Sequence, residues 1–154
     1  MKPAEVCLVP ENRREVTTEG GLDCAGQSDA LRPTVERLRG AGIRVSMFIE
    51  PARGQIEASH RLGAEIVELH TGAFANVTGD AQRAELARIH EASVFAHSLG
   101  LQVNAGHGIN YVNIALIRTV PHLAELNIGH SIVSRAIFTG LDGAVREMLA
   151  AMKG

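Results

Sequence analysis

Apolar and polar residues follow one another in blocks along this chain. Five short runs rich in Val, Ile and Leu are each followed by a polar or glycine-containing turn. Short, nearly continuous apolar runs are typical of parallel strands that are buried on both faces. The pattern predicts strands at Glu5 to Val9, Arg44 to Ile49, Glu65 to His70, Gln102 to Ala105 and Glu125 to Ile128.

Longer segments with helical periodicity lie between these runs. Ser28 is the predicted N-cap of the first helix, which ends at Gly40. Apolar residues at helical spacing predict four more helices, within Ile56 to Leu62, Leu86 to Leu99, Val112 to Val120 and Ile132 to Met152. This alternation predicts an α/β fold whose parallel strands are adjacent in sequence order.

The size of the repeating unit suggests a particular α/β architecture. Five strand and helix units in 154 residues give roughly 30 residues per unit. A complete (β/α)8 barrel has about 250 residues, so it would need three further units. We therefore predict one domain over residues 1–154, either a partial TIM barrel or an unrelated open parallel sheet.

Composition and charge narrow the expected partners. The chain is 45% hydrophobic and 21% charged, the balance of a soluble globular domain. Its net charge of -2 comes from 15 basic and 17 acidic residues without a run of either sign, so neither nucleic acid nor a membrane is an expected partner. Cys7 and Cys24 lack metal-type spacing and are interpreted as reduced cysteines without a function. Reduced cysteines, together with the absence of an apolar leader sequence, favour a location in the cytoplasm.

Candidate chemistry is sorted by the rule that parallel barrels gather reactive groups at the carboxyl ends of their strands. Of seven histidines, only His70, His107 and His130 fall at or just after a predicted strand end. His107 lies between Gly106 and Gly108, which would leave its imidazole uncovered for proton transfer. The alternative is a turn histidine whose glycines serve tight backbone geometry alone.

The turn after the last predicted strand is a candidate phosphate site. In Asn127 to Ser131, Gly129 and His130 precede a long helix, whose free N–H groups and dipole favour an anion. A glycine that only permits a sharp turn is the alternative. Another long connection, Pro10 to Gly26, contains Thr17 and is either an active-site cover or a solvated surface loop.

Glu68 and His70 alternate along one strand, so both side chains point to the same side of the sheet. An inward carboxylate is unfavourable unless it is used, although a structural hydrogen bond from Glu68 is an alternative, and the role of His70 is left open. Together with His107 and His130, these two residues could instead bind a divalent metal in a barrel hydrolase.

Five motifs, in this order along the chain, resemble the pyridoxine 5'-phosphate synthase family. They are Cys7-Leu-Val-Pro-Glu11, Glu15-Val-Thr-Thr-Glu-Gly-Gly-Leu-Asp23, Glu68-Leu-His-Thr-Gly72, Asn104-Ala-Gly-His-Gly108 and Glu125-Leu-Asn-Ile-Gly-His130. The resemblance covers essentially the whole chain but only the last two thirds of a family member. It implies the last five units of a TIM (β/α)8 barrel that lacks its first three units.

The resemblance also implies a reaction and the residues that perform it. The reaction joins 1-deoxy-D-xylulose 5-phosphate and 3-amino-2-oxopropyl phosphate into pyridoxine 5'-phosphate, phosphate and water, with no metal or organic cofactor and in a homo-oligomer. His107 would be the proton donor and Glu68 would stabilise the transition state. Substrate would be bound by Thr17, Gly108, Gly129 and His130.

The chain also departs from the family pattern. The family's early Asn-x-Asp-His segment, its His-x-Arg strand end and its general-base Glu on the third strand have no counterpart in these 154 residues. A phosphate-binding remnant without catalytic activity is therefore a rival hypothesis to the enzyme.

Overall fold

One parallel sheet organises the molecule. The computed structural model describes residues 2–10 and 20–154. Its strands are Glu5–Leu8 (β1), Arg44–Ile49 (β2), Ile66–His70 (β3), Gln102–Gly106 (β4) and Leu123–Asn127 (β5). They pair in parallel in the order β1-β2-β3-β4-β5, which confirms the predicted order and direction. The largest difference in bounds is at β5, which begins at Leu123 instead of Glu125.

Helices follow the strands as predicted, with four differences in detail, of which the first is a short additional helix over Gly72–Ala75 that was not predicted. They are Ser28–Gly40 (α1), Arg53–Leu62 (α2), Gly72–Ala75 (α3), Gly79–Ser98 (α4), Ile114–Ile117 (α5) and His130–Lys153 (α6). Ser28 is not the N-cap of α1: Gln27 takes that position, and the Ser28 hydroxyl donates to the carbonyl of Cys24. The predicted helix from Val112 to Val120 shrinks to α5, because the Asn110 side chain accepts from the N–H groups of Val112 and Asn113 in a turn. The long α6 is broken at Gly140, where φ is 73°.

The sheet has two contrasting faces. The helix face packs against the helices through alternate apolar residues that are fully buried: Val45, Met47, Ile49, Val67, Leu69, Val103 and Ala105. The polar face carries the intervening residues, among them Cys7, Ser46, Glu68, Asn104 and Asn127. Strand periodicity of two residues produces this separation. Parallel strands with helices on one face form the α/β architecture expected of part of a (β/α)8 barrel.

Each edge strand of the sheet has only one neighbouring strand among the described residues, and one helix has an exposed apolar surface. Within the described residues, β1 pairs only with β2 and β5 pairs only with β4. Along α6, one stripe of apolar side chains is exposed, which we call the α6 stripe: Val133, Ile137, Phe138, Leu141, Val145 and Leu149. In the part of the chain that the structure describes, no helix has both the length and the apolar character needed to cross a bilayer.

Candidate functional site

The predicted site residues meet at the carboxyl ends of β3, β4 and β5. A cleft of about 380 Å³ is lined by His107 and Gly108 after β4, and by Asn127, Gly129 and His130 at the end of β5 and the start of α6. Glu68 reaches this cleft through Asn127, whose amide nitrogen donates to Glu68 Oε2 at 2.7 Å. Five of the six predicted site residues therefore share one end of the sheet.

Glu68 lies on the polar face in the middle of the sheet and is 8% exposed. Its Oε2 accepts hydrogen bonds from Asn127 and, at 3.6 Å, from the thiol of Cys7 on β1. Burial raises the pKa of Glu68, Glu125 raises it further, and the two hydrogen bonds oppose the shift. Glu68 is therefore a carboxyl group that exchanges its proton closer to neutral pH than an exposed glutamate does.

Cys7 is not the bystander that its spacing suggested. Although the residue reaches the surface, desolvation of its sulfur and the nearby charge of Glu68 raise the pKa of the thiol to about 12. The sulfur therefore keeps its proton at neutral pH and serves as a donor to Glu68. Cys24, by contrast, belongs to the hydrophobic core.

His107 is held in a left-handed backbone conformation with φ of 77°, which is uncommon for a residue with a Cβ. Thr71 stabilises this turn: its hydroxyl oxygen lies 2.8 Å from the carbonyl oxygen of Gly106 and 2.5 Å from that of His107. The flanking glycines make room for protein atoms, because a Cβ on Gly106 would overlap Glu68 Oε1 and one on Gly108 would lie 2.5 Å from Ala75 Cβ. Both glycines therefore allow close packing of protein atoms within the site. The sequence had indicated only that they let a ligand approach the backbone.

The electrostatic surroundings of His107 favour the neutral ring. Desolvation lowers the pKa of His107 below its usual value of 6.5, and the nearby rings of His70 and His130 lower it further. The centroids of the His70 and His107 rings are 4.9 Å apart. The protonated ring of His107 is therefore a stronger acid than that of an ordinary histidine, and it must take up a proton before it can act as a donor.

The turn from β5 into α6 has the features of an anion site. Gly129 is the N-cap of α6, which has no side-chain cap and no acidic residue in its first turn. The turn is tied to the β4 loop, because the hydroxyl of Ser131 donates to the carbonyl of Ile109 at 2.9 Å. Gly129 itself has φ of -110°, and a Cβ at this residue would meet only open space, so backbone strain does not require glycine here.

Thr17 lies outside the described residues, as do Glu11 to Glu19 in the long first connection. The end of that connection is anchored, since the N–H of Gly21 donates to Glu50 Oε1 at 3.0 Å. Glu68, His70, His107 and His130 were also considered as metal ligands. Across residues 2–10 and 20–154, no three His, Cys, Asp or Glu side chains converge as a metal site would need.

Sequence reasoning missed Asn127, Cys7 and Glu50 as members of the site. Period-two counting could have found the first two, because strand register places Cys7, Glu68 and Asn127 on the same face of the sheet. Glu50 directly follows β2, so it satisfied the strand-end rule that was applied to histidines alone. Glu50 is held in the site by a hydrogen bond with His70, whose Nδ1 lies 2.7 Å from Glu50 Oε1.

Fold and site together define an α/β protein, consistent with part of a TIM barrel, that gathers its polar groups at the carboxyl ends of parallel strands. The family model described as "Pyridoxal phosphate biosynthesis protein PdxJ" matches residues 1–154, and the chain belongs to that family. This confirms the resemblance read from the five motifs.

Relatives named "Pyridoxine 5'-phosphate synthase" agree with the family model. The protein from Opitutus terrae is 58% identical over 154 residues, which are 99% of this chain and 62% of the relative. The protein from Akkermansia muciniphila is 56% identical over 99% of this chain and 62% of its own length. The protein from Photobacterium profundum is 54% identical, with coverage of 98% and 63%. The chain thus spans less than two thirds of the length of these relatives.

Proposed function

We propose that this chain carries part of the active site of a pyridoxine 5'-phosphate synthase in the cytoplasm. The reaction joins 1-deoxy-D-xylulose 5-phosphate to 3-amino-2-oxopropyl phosphate and closes the ring, releasing phosphate and water. The observation that carries the proposal is the cleft lined by His107, Asn127 and the start of α6, with Glu68 hydrogen-bonded to Asn127 at its edge. The names of the relatives supply the product, and the two substrates follow from the family resemblance.

Proton transfer is the chemistry that these side chains can supply. Joining an amine to a ketone and losing water requires groups that give and take protons near neutral pH. His107, with its lowered pKa, donates the proton to the departing oxygen. Glu68, buried and supported by Asn127 and Cys7, provides negative charge beside the cationic imine that forms before ring closure.

Phosphate binding is the second requirement, because both substrates are anions. The unpaired N–H groups of Gly129 and His130 at the start of α6 bind the phosphate of the aminoketone, and Gly108 contributes its backbone across the cleft. From the family motif, Thr17 contacts the deoxyxylulose phosphate. The exposed positions of Gly129 and His130 fit a group that receives substrate from solvent.

We propose further that the five units of this chain are the last five of eight in a TIM barrel, so that residues 1–154 form one incomplete barrel domain. Three features support this: β1 and β5 each lack a second neighbour within the described residues, the polar face would line the barrel interior, and the match covers 62% of the Opitutus terrae relative. The missing units would close the sheet and bring the family's proton acceptors to the cleft.

The donor role of His107 is tested in a completed barrel. The chain is co-expressed with the part of the Opitutus terrae relative that lies outside the match, and formation of pyridoxine 5'-phosphate is measured. His107→Ala should abolish product while the assembly stays folded, because a partly exposed loop residue contributes little to packing. His97→Ala, at an exposed position on α4, is the matched control and should keep its activity. Product formed by His107→Ala would refute the donor role.

The phosphate site is tested by Gly129→Val in the same assembly. A branched side chain at this open position would block the approach of a phosphate to the N–H groups of α6, and the KM for the aminoketone phosphate should rise by about tenfold or more. Since the backbone at Gly129 is not strained, the fold should be unaffected. An unchanged KM would argue against a phosphate site at this turn.

A further inference from the structure

His70 is a buried histidine beside the proposed proton donor. It ends β3, is 8% exposed, and packs against both Phe48 and His107, with ring centroids 5.1 Å and 4.9 Å away. Its Nε2 is fully buried and has no hydrogen-bond partner among residues 2–10 and 20–154. A buried nitrogen without a partner is unfavourable, so its retention calls for an explanation beyond packing.

Glu50 fixes the orientation of this ring. Its Oε1 lies 2.7 Å from His70 Nδ1 and also accepts from the N–H of Gly21 at 3.0 Å. The hydrogen bond from His70 is the main reason why the pKa of Glu50 is lowered, so Glu50 is an anionic acceptor at neutral pH. Nδ1 therefore carries the hydrogen, and Nε2 is the basic nitrogen of the neutral ring.

Gly72 lies against the rings of both histidines. A Cβ at this residue would lie 2.6 Å from His70 Nε2 and 3.1 Å from His107 Cδ2, so a side chain here would separate them. Glu50 is hydrogen-bonded to the His70 ring, Phe48 packs against it, and Gly72 leaves room for it to approach His107. The close approach of the two imidazoles is therefore built into the backbone.

We propose that His70, oriented by Glu50, is the positioning residue for His107: it fixes the His107 ring and sets the pH at which that ring takes up its proton. Two imidazoles this close cannot both be charged without repulsion, so a proton on either ring disfavours one on the other. The proposal rests on the donor role of His107 in the proposed function. It gives a positioning role to His70, which has no role in that proposed function.

Several titratable and charged groups surround His107, and the test must separate the effect of His70 from the effects of the others. They are Glu50 after β2, His70 and Glu68 on β3, His130 at the start of α6, and more remotely Cys7 on β1, which bonds to Glu68, and Arg88 on α4, which acts on Glu50. Burial of His107 is the strongest influence on its proton affinity. Replacing His70 alone leaves all of the other groups in place.

The test measures the titration midpoint of His107 directly, through pH-dependent deuterium exchange at the imidazole Cε1, read by mass spectrometry. It is carried out on the 154-residue chain and on the chain co-expressed with the rest of the Opitutus terrae relative. His70→Asn keeps an N–H donor toward Glu50 and removes the ring, while His70→Gln places its amide nearer to Nε2. Both should raise the midpoint of His107 by about 0.5 pH unit or more, since both remove the neighbouring ring that lowers the pKa of His107.

His97→Asn is the matched control. His97 is exposed and stacks on His122, with ring centroids 3.8 Å apart, so it is a second close histidine pair outside the site. This variant should leave the midpoint of His107 unchanged. If one His70 variant fails to fold, the other still carries the test, and a His107 midpoint equal to the control value in a folded variant would overturn the proposal.

Failure of this inference can be told apart from failure of the proposed function. A wild-type assembly that forms no pyridoxine 5'-phosphate contradicts the synthase, whatever the titration of His107. A wild-type assembly that forms product, with a His107 midpoint and a pH profile that do not change in His70→Asn, contradicts the positioning role alone. The expected result is an active wild type whose alkaline limb in the pH profile moves upward together with the midpoint in the His70 variants, because a proton donor is active in its protonated form.

Discussion

The two faces of the sheet carry different information about this protein. On the helix face, Val45, Met47 and Leu69 are fully buried among apolar side chains, and their identity is explained by packing. On the polar face, Glu68 and Asn104 are also buried, yet they are hydrogen-bonded polar groups. Burial of polar groups is unfavourable unless they are paired, so the polar face cannot be explained by stability alone.

The hydrogen bonds on the polar face form two separate groups. In the first group, a chain of hydrogen bonds runs from Arg44 through Gln102 and Asn104 to Glu125. In the second group, the bonds converge on Glu68, which accepts from two donors on one oxygen. The first group is a structural network, and the second is concentrated around one carboxyl group with a raised pKa.

The largest expected effect concerns the open surfaces. The 154-residue chain alone should self-associate through its free strand edges and the α6 stripe, and should form no product, because exposed apolar surface and unpaired strands invite pairing. Phe138→Glu, at a position 83% exposed on α6, should reduce association in sedimentation velocity. Val94→Glu, at a position 45% exposed on α4, is the control and should not. A monomer that unfolds cooperatively would contradict this prediction.

Leu69 tests the helix face. Leu69→Ala should lower the free energy of unfolding by about 2–5 kcal/mol, because it leaves a cavity in a fully buried core. Urea unfolding of the co-expressed assembly, followed by circular dichroism, measures the change. Leu101→Ala, in a buried position outside the strands, is a control for the general loss of a core leucine. A loss below about 1 kcal/mol would mean that this face is not the close-packed core described above.

Gly106 tests how tightly the polar face packs around Glu68. Gly106→Ala should lower the free energy of unfolding by about 1–3 kcal/mol, since its Cβ would overlap the carboxylate and approach Asn127 O at 3.1 Å. Gly129→Ala is the matched control: its Cβ meets open space and should leave stability unchanged. Equal stability of the two variants would show that Glu68 can move away without loss.

Glu68→Gln should change stability the least. It should stabilise the protein, whereas Leu69→Ala and Gly106→Ala should destabilise it. The folded-state pKa of Glu68 is raised above its usual value of 4.5, so its contribution to stability is complete below that pH and is lost as the pH rises through the folded-state value. The amide carries no charge, so the free energy of unfolding of the variant should increase relative to that of the wild type as the pH rises. Product formation should be lost. An advantage that does not change between about pH 4 and 8, as measured by urea unfolding, would contradict the raised pKa.

Period-two and helical patterns predicted most of the fold because burial dictates residue type on the helix face. The strand-end rule likewise placed His70, His107 and His130 at one end of the sheet. The pattern failed where local hydrogen bonds decide the structure: the Asn110 turn shortened α5, and Gln27 replaced Ser28 as N-cap.

Hydrogen bonds between side chains that lie far apart along the chain were also not predicted from the sequence. Cys7 and Glu68 are 61 residues apart, and His70 and Glu50 are 20 apart, so only strand register brings them together. The interpretation of Cys7 as a bystander failed for this reason, since spacing rules detect metal ligands and disulfides but not a thiol that donates to a carboxylate. Roles for Thr17 and for the closure of the barrel stay predictions.

Reconstitution of activity tests the central claim most directly, namely that this chain is the His107 and Glu68 portion of a synthase barrel. The 154-residue chain, the remaining part of the Opitutus terrae relative, and an equimolar mixture of the two are each supplied with both phosphorylated substrates, and pyridoxine 5'-phosphate is quantified. The account predicts product only from the mixture, in proportion to the limiting component. Product from the 154-residue chain alone, or none from a mixture that forms a stable complex, would contradict it.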